Sequence, residues 1–145
     1  MRSFRHLLLL LPIAIGAIAA FPTTQAFAGV TVQVDRGAQT MHVYVGGYLE
    51  YSWAISTGRR GYTTPAGTYR PTRLERMWHS RKYDWSPMPY SIFFRGGYAI
   101  HGTYETKRLG RRASHGCIRL APGNARELYS LVRRYGAGAT RIQIR

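Results

Sequence analysis

The chain has 145 residues, with 21 Lys and Arg against six Asp and Glu, a formal charge of +15 and a single cysteine. One cysteine excludes an internal disulfide, and the length suits one domain with one core rather than several. The charge implies anionic surroundings, whether nucleic acid, a membrane surface or an acidic polymer.

Residues 1–28 read as an export signal. Arg2, Arg5 and His6 make a basic start, Leu7 to Ala20 is an apolar run broken only by Pro12 and Gly16, and Ala26-Phe27-Ala28 ends in a small-x-small pattern suited to cleavage. A membrane anchor is the alternative, but the run is short of the roughly 20 apolar residues that a span needs. Cleavage after Ala28 leaves residues 29–145, with 19 basic and six acidic residues and a formal charge of +13. Export places the domain in the periplasm or cell envelope. It argues against nucleic acid and favours an anionic envelope, near a membrane or wall, as the partner.

The remainder reads as mainly β. Val30 to Asp35 alternates, Asp35-Arg36-Gly37-Ala38 turns, and Thr40 to Val45 is a second strand. Gly46-Gly47 is a tight turn into a third strand from Tyr48 to Ile55. Shorter strands are expected over Thr68–Leu74, Tyr90–Phe94, Ala99–Ile100 and Thr140–Ile144, with the first and last able to lie side by side. Residues 75–89 show no clear period and hold Trp78, His79, Tyr83, Trp85, Pro87 and Pro89, so they read as a long aromatic loop, a lid or substrate wall. One helix is expected, capped by Asn124 with Glu127 as the capping-box partner. Ala125, Leu128, Val132 and Tyr135 form its apolar face, and Gly136 ends it.

The chemistry concentrates in two short runs. His101 closes a strand before Gly102 and Thr103, and Ser114-His115-Gly116-Cys117-Ile118-Arg119 follows. A lone thiol in an oxidising compartment is a liability unless it is used or buried. With two imidazoles nearby it is the natural nucleophile, since a base or positive charge favours the thiolate. Either His101 or His115 can serve as that base. If the segment is extended, His115 and Cys117 project from the same side of the backbone. Gly116 lets a substrate carbonyl approach the Gly116 and Cys117 amides, donors for an oxyanion. Arg119 can clamp a carboxylate through two parallel hydrogen bonds, or it is a surface charge in an Arg-rich chain. His101, His115 and Cys117 also make a His₂Cys set, but a convincing fourth ligand is missing, so no metal and no cofactor is expected.

With these residues the chain resembles the L,D-transpeptidase catalytic domain, a family of peptidoglycan cross-linking enzymes with a cysteine nucleophile. The family carries a histidine, a gap, then Ser/Thr-His-Gly-Cys and a hydrophobic residue before Arg or Asn. Here these are His101, Ser114, His115, Gly116, Cys117, Ile118 and Arg119. An upstream Ser-x-Gly and Thr-Pro-x-Gly pattern falls on Ser56-Thr57-Gly58 and Thr64-Pro65-Ala66-Gly67, and the likeness runs from about Val30 to Ile144. The resemblance implies a sandwich-like β fold with a helix beside it. It implies that Cys117 attacks the third residue of a stem tetrapeptide, expels D-Ala, and passes the thioester to an amine on another stem peptide or on an envelope protein. His101 would be the base, oriented by a main-chain or small-residue contact. His115, Gly116 and Cys117 would shape the oxyanion site. Arg119, with Ser114, Gly102, Thr103, Trp78 and Trp85, would meet the peptide. Hydrolysis of the thioester, giving an L,D-carboxypeptidase or amide hydrolase, and a non-enzymatic envelope-binding module are the other readings.

Overall fold

The computed structural model describes residues 27–145. The expected export signal therefore lies outside the described residues, apart from its last two positions. Among the described residues nine strands form two sheets. The first sheet has the order β3 (Tyr48–Ala54), β2 (Thr40–Val45), β1 (Val30–Asp35), β9 (Thr140–Ile144) and β4 (Gly67–Tyr69). The second runs β5 (Arg73–Ser80), β6 (Ser86–Arg95), β7 (Tyr98–Gly102) and β8 (Ile118–Leu120). Among the described residues a single α-helix, α1 (Pro122–Tyr135), follows β8.

The opening meander forms as its alternation predicts. In β1, Val30, Val32 and Val34 are fully buried and face the core, and the residues between them are half-buried. The first and last strands are neighbours, but they run parallel: Val30 pairs with Thr140, and Ile144 with Val34. The main core lies where the inner faces of the two sheets meet α1. It contains Met41, Val43, Ile100, Ile118, Leu120, Leu128 and Ile142.

Three expectations need correction. Thr68–Leu74 is not one strand, because β4 ends at Tyr69 in the first sheet and β5 begins at Arg73 in the second. Residues 75–89 are not a loop. They form most of a hairpin in which Glu75 pairs with Ser91 and Ser80 with Ser86, closed by a short turn with Asp84 and Trp85 at positive φ (48° and 54°). Pro87 and Pro89 hid this strand. They are tolerated because β7 pairs with β6 only from Ile92 onward, which leaves the start of β6 an open edge where no amide is needed. The helix also begins earlier than expected. Ala121 is its N-cap and Pro122 its first residue, where the missing amide costs nothing. No side chain caps it, so Asn124 and Glu127 form no capping box. Ala125, Leu128 and Val132 are buried as expected, Tyr135 is partly exposed, and Gly136 ends the helix at φ 88° with its amide on the Val132 carbonyl.

These helix facts set a stability contrast. Asn124→Ala should change unfolding free energy by less than about 0.5 kcal/mol, because no cap is lost. Leu128→Ala should cost about 2–5 kcal/mol by opening a cavity under the helix. Urea melts of the two variants, compared at equal m-value, measure both.

Candidate active site

The pairing of β7 with β8 builds the site. These strands are parallel, with Ile100 opposite Ile118 and His101 opposite Arg119. Ile100, Ile118 and Leu120 point into the core, so the alternate positions Ala99, His101, Cys117 and Arg119 share the other face. That face carries a second small cluster of Met88, Phe93 and Ala99, with Trp78 and Cys117 packed against it. It also floors a cavity of about 640 Å³. His101, Thr103, His115, Cys117, Arg119 and Trp78 all line that cavity.

His101 is buried, and its Nδ1 lies 2.7 Å from the Gly102 carbonyl oxygen. A carbonyl only accepts, so Nδ1 carries the proton and Nε2 keeps its lone pair. Burial is the main force pushing the His101 pKa down, to about 4; the Gly102 bond raises it and the Arg119 charge lowers it further. The ring is therefore neutral at pH 7. Cys117 is half-buried, with Sγ 3.8 Å from the Gly97 carbonyl. Burial pushes its thiol above the ordinary value, against an Ala99 main-chain hydrogen bond and the Arg119 charge. Free protein thus holds a neutral thiol beside a neutral imidazole, not an ion pair.

His115 is differently placed. Arg59 Nη2 donates to its Nε2 at 2.8 Å, so the nitrogen that could accept a proton is occupied. Tyr83 stacks on the ring at 4.2 Å and Tyr62 meets it edge-on at 4.7 Å. Burial and the Arg59 charge lower its pKa. Sequence spacing left both histidines open as bases, and this geometry separates them. Residues 114–117 are also not extended, because Gly116 sits at φ 113°, a conformation that favours glycine. A Cβ there would come within 2.7 Å of the Tyr98 ring.

Buried hydroxyls hold this turn. Ser114 is fully buried, donates to the Cys117 carbonyl at 2.6 Å, and accepts the Gly116 amide at 3.0 Å. Ser114 is thus a brace for the loop, and the Gly116 N–H expected to face an oxyanion is already bonded. The upstream motif joins here too. Thr64 accepts the Gly58 amide at 2.9 Å and donates to the Gly116 carbonyl at 2.8 Å, while Ser56 and Arg119 exchange both main-chain hydrogen bonds. A Cβ on Gly58 would run into the Tyr62 carbonyl.

The remaining expected contacts divide. Thr103 lines the cavity, whereas Gly102 packs behind it, where an added Cβ would press on Pro89 and α1. Trp78 lines the cavity and lies 4.5 Å from the Arg73 guanidinium. Trp85 points elsewhere, is well exposed, and is absent from the lining. Arg119 Nη1 binds the Glu105 carboxylate at 3.2 Å, and it is the less exposed partner of that pair. Tyr83 is one of the rings expected to wall the site over residues 75–89, and it lines the cavity. Arg59 and Tyr62 were not foreseen, and they carried no signal beyond standing close to Gly58.

Residues 29–144 match the L,D-transpeptidase catalytic domain (YkuD) family, and the chain belongs to it. A candidate L,D-transpeptidase of Fuscovulum blasticum is 31% identical over 90 residues, which cover 50% of this chain and 45% of that protein. An L,D-transpeptidase from Stackebrandtia nassauensis superposes with a TM-score of 0.72 at 29% identity, covering 88% of this chain and 60% of that one. An L,D-transpeptidase from Mycobacterium smegmatis gives a TM-score of 0.73 at 23% identity, covering 81% and 59%. The chain therefore spans less than two thirds of these proteins' lengths.

The charge states predict a pH profile. Alkylation of Cys117 by iodoacetamide follows the thiolate. It should be slow at pH 7 and still climbing above the ordinary thiol range, without the neutral plateau of an ion pair. Acylation that needs unprotonated His101 should hold down to about pH 5 and fall through about pH 4. Intact-mass rates against pH read both limbs.

Proposed function

We propose that this domain is a cysteine acyltransferase of the cell envelope, acting on peptidoglycan stem peptides. The observation that carries the reading is the shared face of β7 and β8. It holds the Cys117 thiol and the His101 ring together on a cavity floor, with His101 Nε2 free to accept a proton.

In this reading the thiol proton passes to His101 as sulfur attacks a carbonyl, so charge develops only during the step. The Cys117 amide has no acceptor among the described residues and is the donor left for the oxyanion. His115, clamped by Arg59 and two tyrosines, holds the turn that presents this amide. Collapse of the tetrahedral intermediate expels D-Ala, which takes its proton from His101, and leaves the Cys117 thioester. An acceptor amine then attacks the thioester and loses a proton to His101; the C–S bond breaks, Cys117 sulfur takes that proton back, and the product leaves as an amide. Arg119 meets a peptide carboxylate by exchanging Glu105 for substrate. The acceptor is a second stem peptide or an envelope protein, reached after export through the leader over residues 1–28. No cofactor enters the scheme.

Incubation with tetrapeptide muropeptides and mass analysis tests the reading. Dimers with free D-Ala are expected. Tripeptides with free D-Ala and no dimer would assign hydrolysis, and unchanged muropeptides would leave a binding module. Cys117→Ser should abolish turnover while keeping the fold, because a hydroxyl is far less nucleophilic here.

The histidines should rank. His101→Ala should slow Cys117 acylation by at least about 100-fold, the usual scale of a lost base. His115→Ala should slow it less, since it acts through the loop. Single-turnover mass measurements give both rates, and the reverse order would move the base to His115.

A further inference from the structure

The segment between the two catalytic runs carries Lys107, Arg108, Arg111 and Arg112, all exposed. Its main chain is firmly bonded. The Gly110 amide reaches the Ile55 carbonyl at 2.8 Å, the Ala113 amide reaches Thr57 at 3.0 Å, and Ser56 Oγ donates to the Arg111 carbonyl at 2.7 Å. Arg112 is steadied by donating to the Arg36 carbonyl, while the Arg36 guanidinium itself turns to the Thr64 and Arg145 main-chain oxygens and stands apart from the ledge. The one acid of this segment, Glu105, turns toward Arg119 at 3.2 Å and Arg108 at 3.9 Å. Lys107, Arg111 and Arg112 have no acidic partner among the described residues. Arg108 lines both the main cavity and a shallow depression of about 380 Å³ shared with Arg111, so the ledge continues the cavity rim.

A rigid loop that gathers like charges without acids raises its own energy unless an anion joins it. We infer that the ledge of Lys107, Arg111 and Arg112 is a docking surface for carboxylates of the peptidoglycan strand next to the stem peptide in the cavity. The inference rests on the proposed substrate, a polymer that repeats carboxylate-bearing peptides along one chain. A neighbouring peptide held on the ledge raises the effective concentration of the reacting one, with no new contact at Cys117. The ledge therefore distinguishes polymeric wall from soluble muropeptide.

The test compares two full-length triple variants of equal net charge. One is Lys107→Gln, Arg111→Gln and Arg112→Gln. The other is Arg126→Gln, Arg133→Gln and Arg134→Gln on the exposed side of α1, outside the cavity and the depression. Binding to purified sacculi, stripped of phosphodiester polymers with hydrofluoric acid, is measured by pelleting across a salt series. The ledge variant should bind about tenfold more weakly with a shallower salt dependence, and the helix variant should stay within about twofold of wild type. Both should acylate Cys117 from a monomeric tetrapeptide at the wild-type rate. Equal weakening of the two variants, or of neither, overturns the inference. So does undiminished binding to sacculi whose carboxylates have been amidated, or wild-type binding that vanishes once phosphodiester polymers are stripped. If the wild type acylates from no tetrapeptide, the proposed function fails, and the sacculus comparison still decides the ledge.

Discussion

The parallel pairing of β7 with β8 is the constraint on which the site depends. Two short strands, separated by a 15-residue excursion, are locked with Ile100 against Ile118. Burying that pair in the core fixes register, because a one-residue slip would turn the isoleucines outward and drive His101 and Arg119 into apolar packing. The hydrophobic effect thus does the positioning. The reactive groups are held by what lies on the opposite face of their own strands, with little reliance on contacts between themselves.

The second support is polar and wholly buried. Thr64, Ser114 and Ser56 tie three chain segments to the turn before Cys117, each hydroxyl placed between main-chain groups. Buried main-chain groups in such a turn lack the partners that a sheet supplies, and leaving one bare costs about 1–3 kcal/mol. The hydroxyls satisfy them, which lets Gly116 keep a left-handed conformation beside the Tyr98 ring.

The meander was legible because Val30, Val32, Val34, Met41 and Val43 alternate with polar residues on a half-buried sheet. The Ser114–Arg119 run was legible because its residue types are rare in combination. The β5–β6 hairpin was not, since Arg76, Met77 and His79 are exposed and prolines interrupt the partner strand, so period and composition both pointed to a loop. The helix start was misread for a related reason. Asn124 and Glu127 have the right spacing for a box, but Pro122 already sets the first turn, and local pattern carries no record of which of two starts packs better. The separation of His101 from His115 lay beyond sequence altogether, because it turns on Arg59 and Tyr83, brought in from the loop after β3 and the turn between β5 and β6.

One feature of the first sheet bears on how the chain reaches this state. The strand β9, the last of the described strands, lies between β1 and β4. Until Thr140–Ile144 are available, β3, β2 and β1 form an isolated meander with an open edge, and β4 has no neighbour at all. Joining β1 to β9 closes a loop of more than a hundred residues, so the pairing is late and slow relative to the hairpins. The sheet therefore cannot close until Thr140–Ile144 have been made. A chain stopped short of Thr140 would keep its local hairpins but could not assemble this sheet.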